Sequence, residues 1–361
     1  MYNINRVIKK LTPHRSAAEL FKYFSDEKDC VFLDSSLVNG LGRYSIIGVR
    51  PYLKLVKDDH GFFINEQKVS ELSFEEYLKK YLSEHKDQNK SGLPMLSGAI
   101  GYFSYEYGRK LMEIPSHKEN LVTIPDAVLV FYDMYIIEDC HEKKTFLVAN
   151  GVTEDAEKLI ESVEKRLTEV LLEKEQVADG SFNIEITPNF KKEEYKQAVD
   201  EMIRYIIEGD IYITNMTQQL EVKSNKKPLD VFYDLRENNP SFGGYMDYGD
   251  FQIVCASPER FLKMKKGHVN TRPIKGTRKR GETLEEDLLM RNELKNSEKD
   301  KSELLMIVDL ERNDLNRVCK PGSVNVTELF TVEEYATVFH LVSDIEGTLK
   351  EDKNFVDLME A

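Results

Sequence analysis

Residues 271–281, Thr-Arg-Pro-Ile-Lys-Gly-Thr-Arg-Lys-Arg-Gly, constrain this chain more than any other stretch. Five cations, Arg272, Lys275, Arg278, Lys279 and Arg280, crowd into eleven residues. The whole chain carries a formal net charge of -14. A cationic island in an acidic chain reads as a local anion site, not as general adhesion to nucleic acid or membrane. Pro273 fixes φ and Gly276 tolerates φ > 0, so the sequence predicts a shaped turn around Lys275. A solvated basic hairpin tip would carry the same charges.

The chain has 361 residues, which suggests two domains. The polar segment at 175–181 is the expected boundary, giving domains 1–180 and 181–361. Hydrophobic residues make up 41% and charged residues 32%, enough for a core and against global disorder. Cys30, Cys140, Cys255 and Cys319 are far apart and form no CxxC pair. They are expected to be reduced thiols of a cytoplasmic protein, with no zinc site. The first residues lack a signal-peptide pattern, and no apolar run is long enough to span a bilayer. Nucleic acid and membrane are therefore not expected partners.

The pattern is mixed α+β, without strict βαβ alternation. In the first half, strands are expected at 31–33, 43–47, 52–56, 62–64, 127–137 and 145–149. Helices are expected at 16–24, from Ser73 with its Glu76 capping partner, and over 154–174. In the second half a helix over 191–208 is stopped by Gly209, and Ile211 to Val222 alternates as a strand. Gly249-Asp250 signals a hairpin. A helix over 284–308 follows the basic stretch, then strands at 324–332 and 338–345.

Four features in the second half could carry chemistry. Glu259 follows an apolar strand, where partial burial would raise its pKa and make it a proton donor; pairing with Arg260 is the alternative. Lys275 has cations beside it, which lower an amine pKa and favour a nucleophile; it could equally hold an anion. Asp300 and Glu303 share a helix face just before Leu304–Val308, which reads as fully buried. They suit a Mg²⁺ that keeps waters for an anionic substrate, or they pair with Lys299 and Lys301. His340 lies in an apolar strand, where a histidine is ordinarily a satisfied core residue.

Several long motifs in register resemble the chorismate-utilising enzymes. They are Arg272–Gly281, Ile307–Leu315, Phe339–Ser343, Ser257–Phe261 and Gly209–Tyr212. Gly42–Gly48 and Gly101–Tyr105 resemble the companion domain of anthranilate synthase and aminodeoxychorismate synthase large subunits. The resemblance implies an α+β fold with sheets packed in a sandwich core and helices outside. It implies that Lys275 attacks C2 of chorismate as the C4 hydroxyl leaves, and that ammonia then adds at C4 and expels the lysine. Glu259 is then the general acid, and His340 contacts the ring. Mg²⁺ sits on Glu303 with Asp300 behind it, and Arg272, Gly276 and Thr277 help hold the substrate.

Anthranilate synthases usually have alanine where this chain has Lys275, and the Pro-Ile-Lys-Gly-Thr form resembles aminodeoxychorismate synthase component I. Ammonia would come from a separate glutamine amidotransferase subunit or from free ammonium. A tryptophan pocket would map onto Ser35, Arg43, Tyr44, Ser241, Phe242 and Gly243, where ordinary turn and strand packing is the alternative. Ile213 stands where isochorismate synthases place a lysine, which disfavours that reaction. The family continues past Ala361 with a Gly-Ala-Pro-Lys motif, an arginine and a second Mg²⁺-ligating glutamate. Anthranilate synthase and an inactive chain that only binds a partner or tryptophan are the competing expectations.

Overall fold

The structure is a computed structural model that describes residues 5–37, 42–116, 122–169, 183–238 and 240–361. The expected boundary at 175–181 and the last turn of the helix expected to reach 174 lie outside the described residues. Contacts group the described residues up to 169 with 232–361, and group 183–231 separately.

The first group opens with β1 (Val7–Lys10), α1 (Ala17–Phe21), β2 (Val31–Asp34), β3 (Tyr44–Asp58), β4 (Gly61–Ile64) and β5 (Gln67–Val69). Next come α2 (Phe74–Glu84), β6 (Ala99–Phe103), α3 (Tyr105–Leu111), β7 (Ala127–Asp139), β8 (Lys144–Ala149) and α4 (Ala156–Glu169). The capping box of α2 forms as expected: Glu76 N–H donates to Ser73 Oγ at 3.1 Å and Ser73 N–H donates to Glu76 Oε2 at 2.8 Å.

The second group holds β9 (Ile184–Pro188), α5 (Lys192–Glu208), β10 (Leu220–Ser224) and the start of α6 (Pro228–Arg236). Gly209 ends α5 at φ +84°, the left-handed cap its lack of a Cβ allows. The strand expected from Ile211 to Val222 is confined to β10. Its partner β9 ends at Pro188 opposite Leu220, and proline has no N–H with which to extend the ladder. No residue of α5 is buried.

The first group resumes with β11 (Phe242–Asp247), β12 (Gln252–Ser257), β13 (Arg260–Lys265), β14 (His268–Arg272) and β15 (Ile274–Lys279). It ends with α7 (Leu284–Asn296), α8 (Glu298–Val318), β16 (Asn325–Glu334), β17 (Val338–Thr348) and α9 (Phe355–Glu360). One helix was expected where α7 and α8 stand. Ser297 divides them, because its hydroxyl accepts from Asp300 N–H at 3.3 Å and starts a new helix.

All pairings in the sheets are antiparallel. A ten-stranded sheet runs β1-β8-β7-β3-β2-β11-β12, with β4 and β6 pairing β3 and β7 and β5 pairing β4. The hairpin β11–β12 therefore carries residues 242–257 into the sheet of the N-terminal half, with Gly243 opposite Asp34. β7 is buried along its whole length and holds this sheet together. Its acids are matched by donors. Asp133 accepts from Val152 N–H at 2.9 Å, Thr153 N–H at 2.7 Å and Thr153 Oγ1–H at 2.6 Å. Glu138 accepts from Ala17 N–H at 2.6 Å, and Asp139 from Arg43 Nη2–H at 2.7 Å.

The five-stranded sheet runs β13-β14-β17-β15, with β16 along the other edge of β17. Thr271 pairs Ile345 and Ile274 pairs Val342, so β14 and β15 form one edge interrupted only at Pro273. Helices α7 and α8 pack on this sheet. Leu294, Leu304, Val308, Leu315, Phe339, Leu341 and Ile345 make the core between them. The run Leu304–Val308 is not fully buried as expected: Leu304 and Val308 are, while Leu305 is 48% exposed. A helix lying on a sheet buries one stripe only.

Candidate functional site

The expected turn around Lys275 is instead a strand with a bulge. Lys275 pairs Leu341 and Thr277 pairs His340, so Gly276 is the extra residue. Gly276 sits at φ +80°, and an added Cβ there would lie 2.8 Å from Asp300 Cβ. Only glycine permits both the conformation and this approach of α8.

The cationic island is mostly neutralised. Arg272 pairs with Asp344, with Glu333 at 2.6 Å and with Glu328 at 3.2 Å. Arg278 donates to Glu293 at 2.7 Å and to Asp300 at 3.1 Å, and Arg280 to Asp287 at 2.7 Å. The side chains of Lys275 and Lys279 have no hydrogen bond or ion pair among the described residues. Lys279 is exposed, whereas Lys275 is half-buried. The bulge thus holds one amine, partly out of water and without a counter-ion, amid guanidiniums already engaged. Arg272, expected to hold substrate, is committed to three carboxylates.

Two contacts fix how α8 passes this edge. Asp300 lies against Gly276, and Thr271 Oγ1 is 3.0 Å from Glu311 Oε2. Eleven residues of helix and five of strand each span about 16 Å, so α8 runs alongside β15 and β14 in the opposite direction. Glu303, one turn beyond Asp300, falls at the level of Lys275. Its only ion pair among the described residues is a 3.8 Å contact with Lys299, and its side chain is 44% exposed. The pairing of Glu303 with Lys299 is thus present but loose. Asp300 is buried and pairs with Arg278, not with Lys301. No group of three or more histidines, cysteines or acids shaped for a metal occurs among the described residues. Mg²⁺ needs only one or two protein carboxylates, so Glu303 suits it as a partial ligand with Asp300 behind.

Glu259 is exposed, contrary to the partial burial expected, because it lies on the bend between β12 and β13. Its carboxylate accepts from Ile274 N–H at 2.8 Å, which places it beside Lys275. His340 is buried, and its Nδ1 lies 3.0 Å from Thr277 Oγ1. Burial lowers its pKa, against the pull of the Gly276 backbone and the Glu333 and Glu259 carboxylates. The imidazole is therefore neutral at pH 7, a hydrogen-bonding group and not a cation.

Glu311 was not singled out from the sequence. Burial pushes its carboxyl up to about 7, the Glu259 and Asp314 charges add to this, and Thr271 and Lys275 oppose it. The signal lay in spacing. Asp300, Leu304, Val308, Leu315 and Val318 are the buried residues of α8, and Glu311 occupies a slot of that stripe that an apolar residue would ordinarily fill.

The six residues expected at a tryptophan pocket gather at one end of the ten-stranded sheet. Ser35 Oγ–H donates to Tyr44 C=O at 2.8 Å, and Gly243 pairs Asp34. Arg43 is engaged by Asp139 and lies over the Tyr44 ring at 5.0 Å. Ser241 is buried and Phe242 opens β11. Among the described residues no helix is long and apolar enough to cross a membrane.

Residues 29–361 match the family described as chorismate binding enzyme. Anthranilate synthase component 1 of Acetivibrio thermocellus is 34% identical over 361 residues, covering 94% of this chain and 73% of that protein. Aminodeoxychorismate synthase component 1 of Bacillus subtilis (strain 168) is 34% identical over 335 residues, covering 89% and 70%. The crystal structure of anthranilate synthase component I from Streptococcus pneumoniae TIGR4 superposes with a TM-score of 0.78 at 27% identity, covering 90% of this chain and 73% of that one. With an antiparallel α+β fold of that kind and a family match over residues 29–361, this chain belongs to the chorismate-binding enzyme family.

Proposed function

We propose that the chain is an aminodeoxychorismate synthase component I, which converts chorismate and ammonia to 4-amino-4-deoxychorismate on the route to p-aminobenzoate and folate. The observation that carries this reading is Lys275, a half-buried amine with no counter-ion beside Glu259 and at the level of Glu303. An amine held by a carboxylate stays protonated and cannot attack carbon; this one is not so held. Lys275 attacks C2 and the C4 hydroxyl departs. A hydroxyl leaves poorly unless protonated, and the family resemblance gives that role to Glu259, which lies beside the amine. His340, neutral and fixed by Thr277, offers a hydrogen bond near the departing group. Ammonia, supplied from glutamine by a partner amidotransferase, adds at C4 and Lys275 leaves. Glu303 would hold a Mg²⁺ with Asp300 behind it; the ion would neutralise substrate carboxylate charge. Gly276 and Thr277 line the same edge, and the Ser35 and Ser241 cluster would take tryptophan.

Intact-protein mass spectrometry after incubation with chorismate and Mg²⁺ but no ammonia tests this. A covalent adduct on Lys275 is expected, absent in Lys275→Ala, whose amination rate falls at least ~100-fold. Absence of any adduct, with turnover unchanged in Lys275→Ala, overturns the nucleophile. Anthranilate synthase is the second reading, favoured by a relative of that name at the same 34% identity. With ammonium present, a fluorescent aromatic product would identify it, since aminodeoxychorismate keeps its pyruvyl ether.

A further inference from the structure

We propose that the cavity beside the C-terminal end of α2 is a binding site for a small planar aromatic carboxylate, a site beyond the amination reading and independent of it. The cavity holds about 320 Å³ and is walled by Tyr52 of β3, Tyr81 of α2, its cap residue His85, Phe131 of β7 and the segment 94–98. That volume lies in the range of small-molecule sites. None of its lining residues belongs to the strip between β15 and α8.

The walls are aromatic by periodicity. Tyr77, Tyr81 and His85 stand at i, i+4 and i+8, so their rings fall on one face of α2. Tyr77 and Tyr81 stack with centroids 6.0 Å apart, and Tyr81 and His85 with centroids 4.0 Å apart and planes 16° from parallel. Phe131 meets Tyr81 edge-on at 4.8 Å. The column ends at His85, whose half-buried ring lines the cavity. A flat ring continues such a column, and an aliphatic one forfeits the stacking geometry. The segment past α2 is fixed before any ligand arrives. Asn89 Nδ2–H donates to Leu93 C=O at 2.7 Å, and Tyr135 O–H donates to Gly98 C=O.

The charge of the ligand follows from which polar groups are already spent. Asp87 on the rim is paired with Arg6, whose Nε–H also donates to Oδ1 of buried Asn150 at 2.7 Å. Asn150 in turn donates to Asp133 C=O at 3.3 Å. Lys86 and Ser97 line the cavity too, and their side chains have no hydrogen bond or ion pair among the described residues. The cavity thus offers stacked rings, one hydroxyl and one unpaired cation. A carboxylate on the ring answers the ammonium, which can donate three hydrogen bonds and accept none.

Saturation-transfer NMR titration of the full chain at pH 7 with benzoate, benzyl alcohol and cyclohexanecarboxylate tests this. Benzoate is expected to bind with a Kd on the order of 1 mM, as suits a ligand of nine non-hydrogen atoms. Benzyl alcohol, which lacks the charge, and cyclohexanecarboxylate, which lacks the flat ring, are each expected to bind at least about threefold more weakly. The ring-proton resonances of His85, identified by their loss in His85→Gln, are expected to shift as benzoate binds. Substitution of exposed Lys86, Lys86→Met, is expected to weaken benzoate about threefold and leave benzyl alcohol unchanged. No benzoate binding, equal affinity for the three probes, or benzoate binding that leaves His85 unmoved overturns the proposal, and so does unchanged benzoate affinity in Lys86→Met. No chorismate is present, so failure here leaves the amination reading standing, and the Lys275 adduct tests that reading separately.

Discussion

Asp133 is a buried acid on β7 of the ten-stranded sheet, and Glu311 is a half-buried acid on α8 over the five-stranded sheet. Asp133 meets three donors at 2.6–2.9 Å. Glu311 accepts from one hydroxyl, that of Thr271, which it shares with Phe261 C=O. Asp139 shows the same contrast: burial alone would raise its pKa, yet Arg43 and the Glu142 and His141 backbone outweigh it and the pKa falls. Burial raises the pKa of a carboxyl, and the number of donors decides whether that rise survives. The large sheet supplies donors to its acids and uses them as struts. The strip between β15 and α8 leaves acids and an amine under-partnered, which is the condition for chemistry.

The largest expected effect tests the strut. Asp133→Ala takes the acceptor from two N–H groups and a hydroxyl, half-buried at Val152 and exposed at Thr153, and empties a fully buried position. At 1–3 kcal/mol for such groups, a loss of about 4 kcal/mol in chemical denaturation is expected. A loss below about 1 kcal/mol would show that the two regions do not differ as argued. Gly276→Ala comes next. Its Cβ would meet Asp300 Cβ at 2.8 Å and Leu294 Cδ1 at 2.9 Å, at a φ of +80°. The leucine tip can turn aside, but the Asp300 Cβ is fixed to α8. About 3 kcal/mol of destabilisation is expected, together with slower labelling of Lys275 by cyanate, because the bulge that presents the amine must rearrange.

Glu311→Gln is expected to act in the opposite direction. Between the ordinary glutamate value of about 4.3 and about 7 the native state keeps a proton that the unfolded chain has lost. Stability therefore falls as pH rises through that window, and the full penalty is present above pH 7. The shift corresponds to about 4 kcal/mol, reduced to about 2 kcal/mol by partial solvent screening. Thermal unfolding at pH 8 is expected to rise by a few degrees in the variant, with no difference at pH 4. An equal change at both values would mean that packing, not charge, governs this position.

Much of this was legible in sequence where the signal is local. The α2 capping box, the Gly209 stop and the Gly249 hairpin each depend on a few adjacent residues. The large sheet also read well, since β7 is apolar along most of its length. What failed depends on partners far along the chain. The basic stretch looked like a turn because Pro273 and Gly276 usually mark one, and only β17, more than sixty residues on, makes it a strand edge. Glu259 looked half-buried because its flanking strand is apolar, but the bend carries it outward. Arg272 could not be told from a substrate ligand until Asp344 and Glu333 were placed against it. Glu311 was missed because the stripe of α8 whose slot it fills was not followed past Val308, and its contact with Thr271 spans 40 residues of chain.

The smallest expected effect bears on Glu303. If the strip by α8 is truly under-partnered, the one ion pair of Glu303 must contribute almost nothing. Its contact with Lys299 is 3.8 Å long, and the lysine is 82% exposed. Such pairs sit in high dielectric and lose side-chain entropy when fixed, so Lys299→Ala is expected to change stability by less than about 0.5 kcal/mol. Removing the lysine also removes the cation that pairs with the carboxylate among the described residues. Mg²⁺ affinity, followed by isothermal titration with chorismate present, is therefore expected to stay equal or tighten slightly. A clear loss of stability would make Glu303 a strut like Asp133, and a clear loss of Mg²⁺ affinity would mean that Lys299 orients the carboxylate.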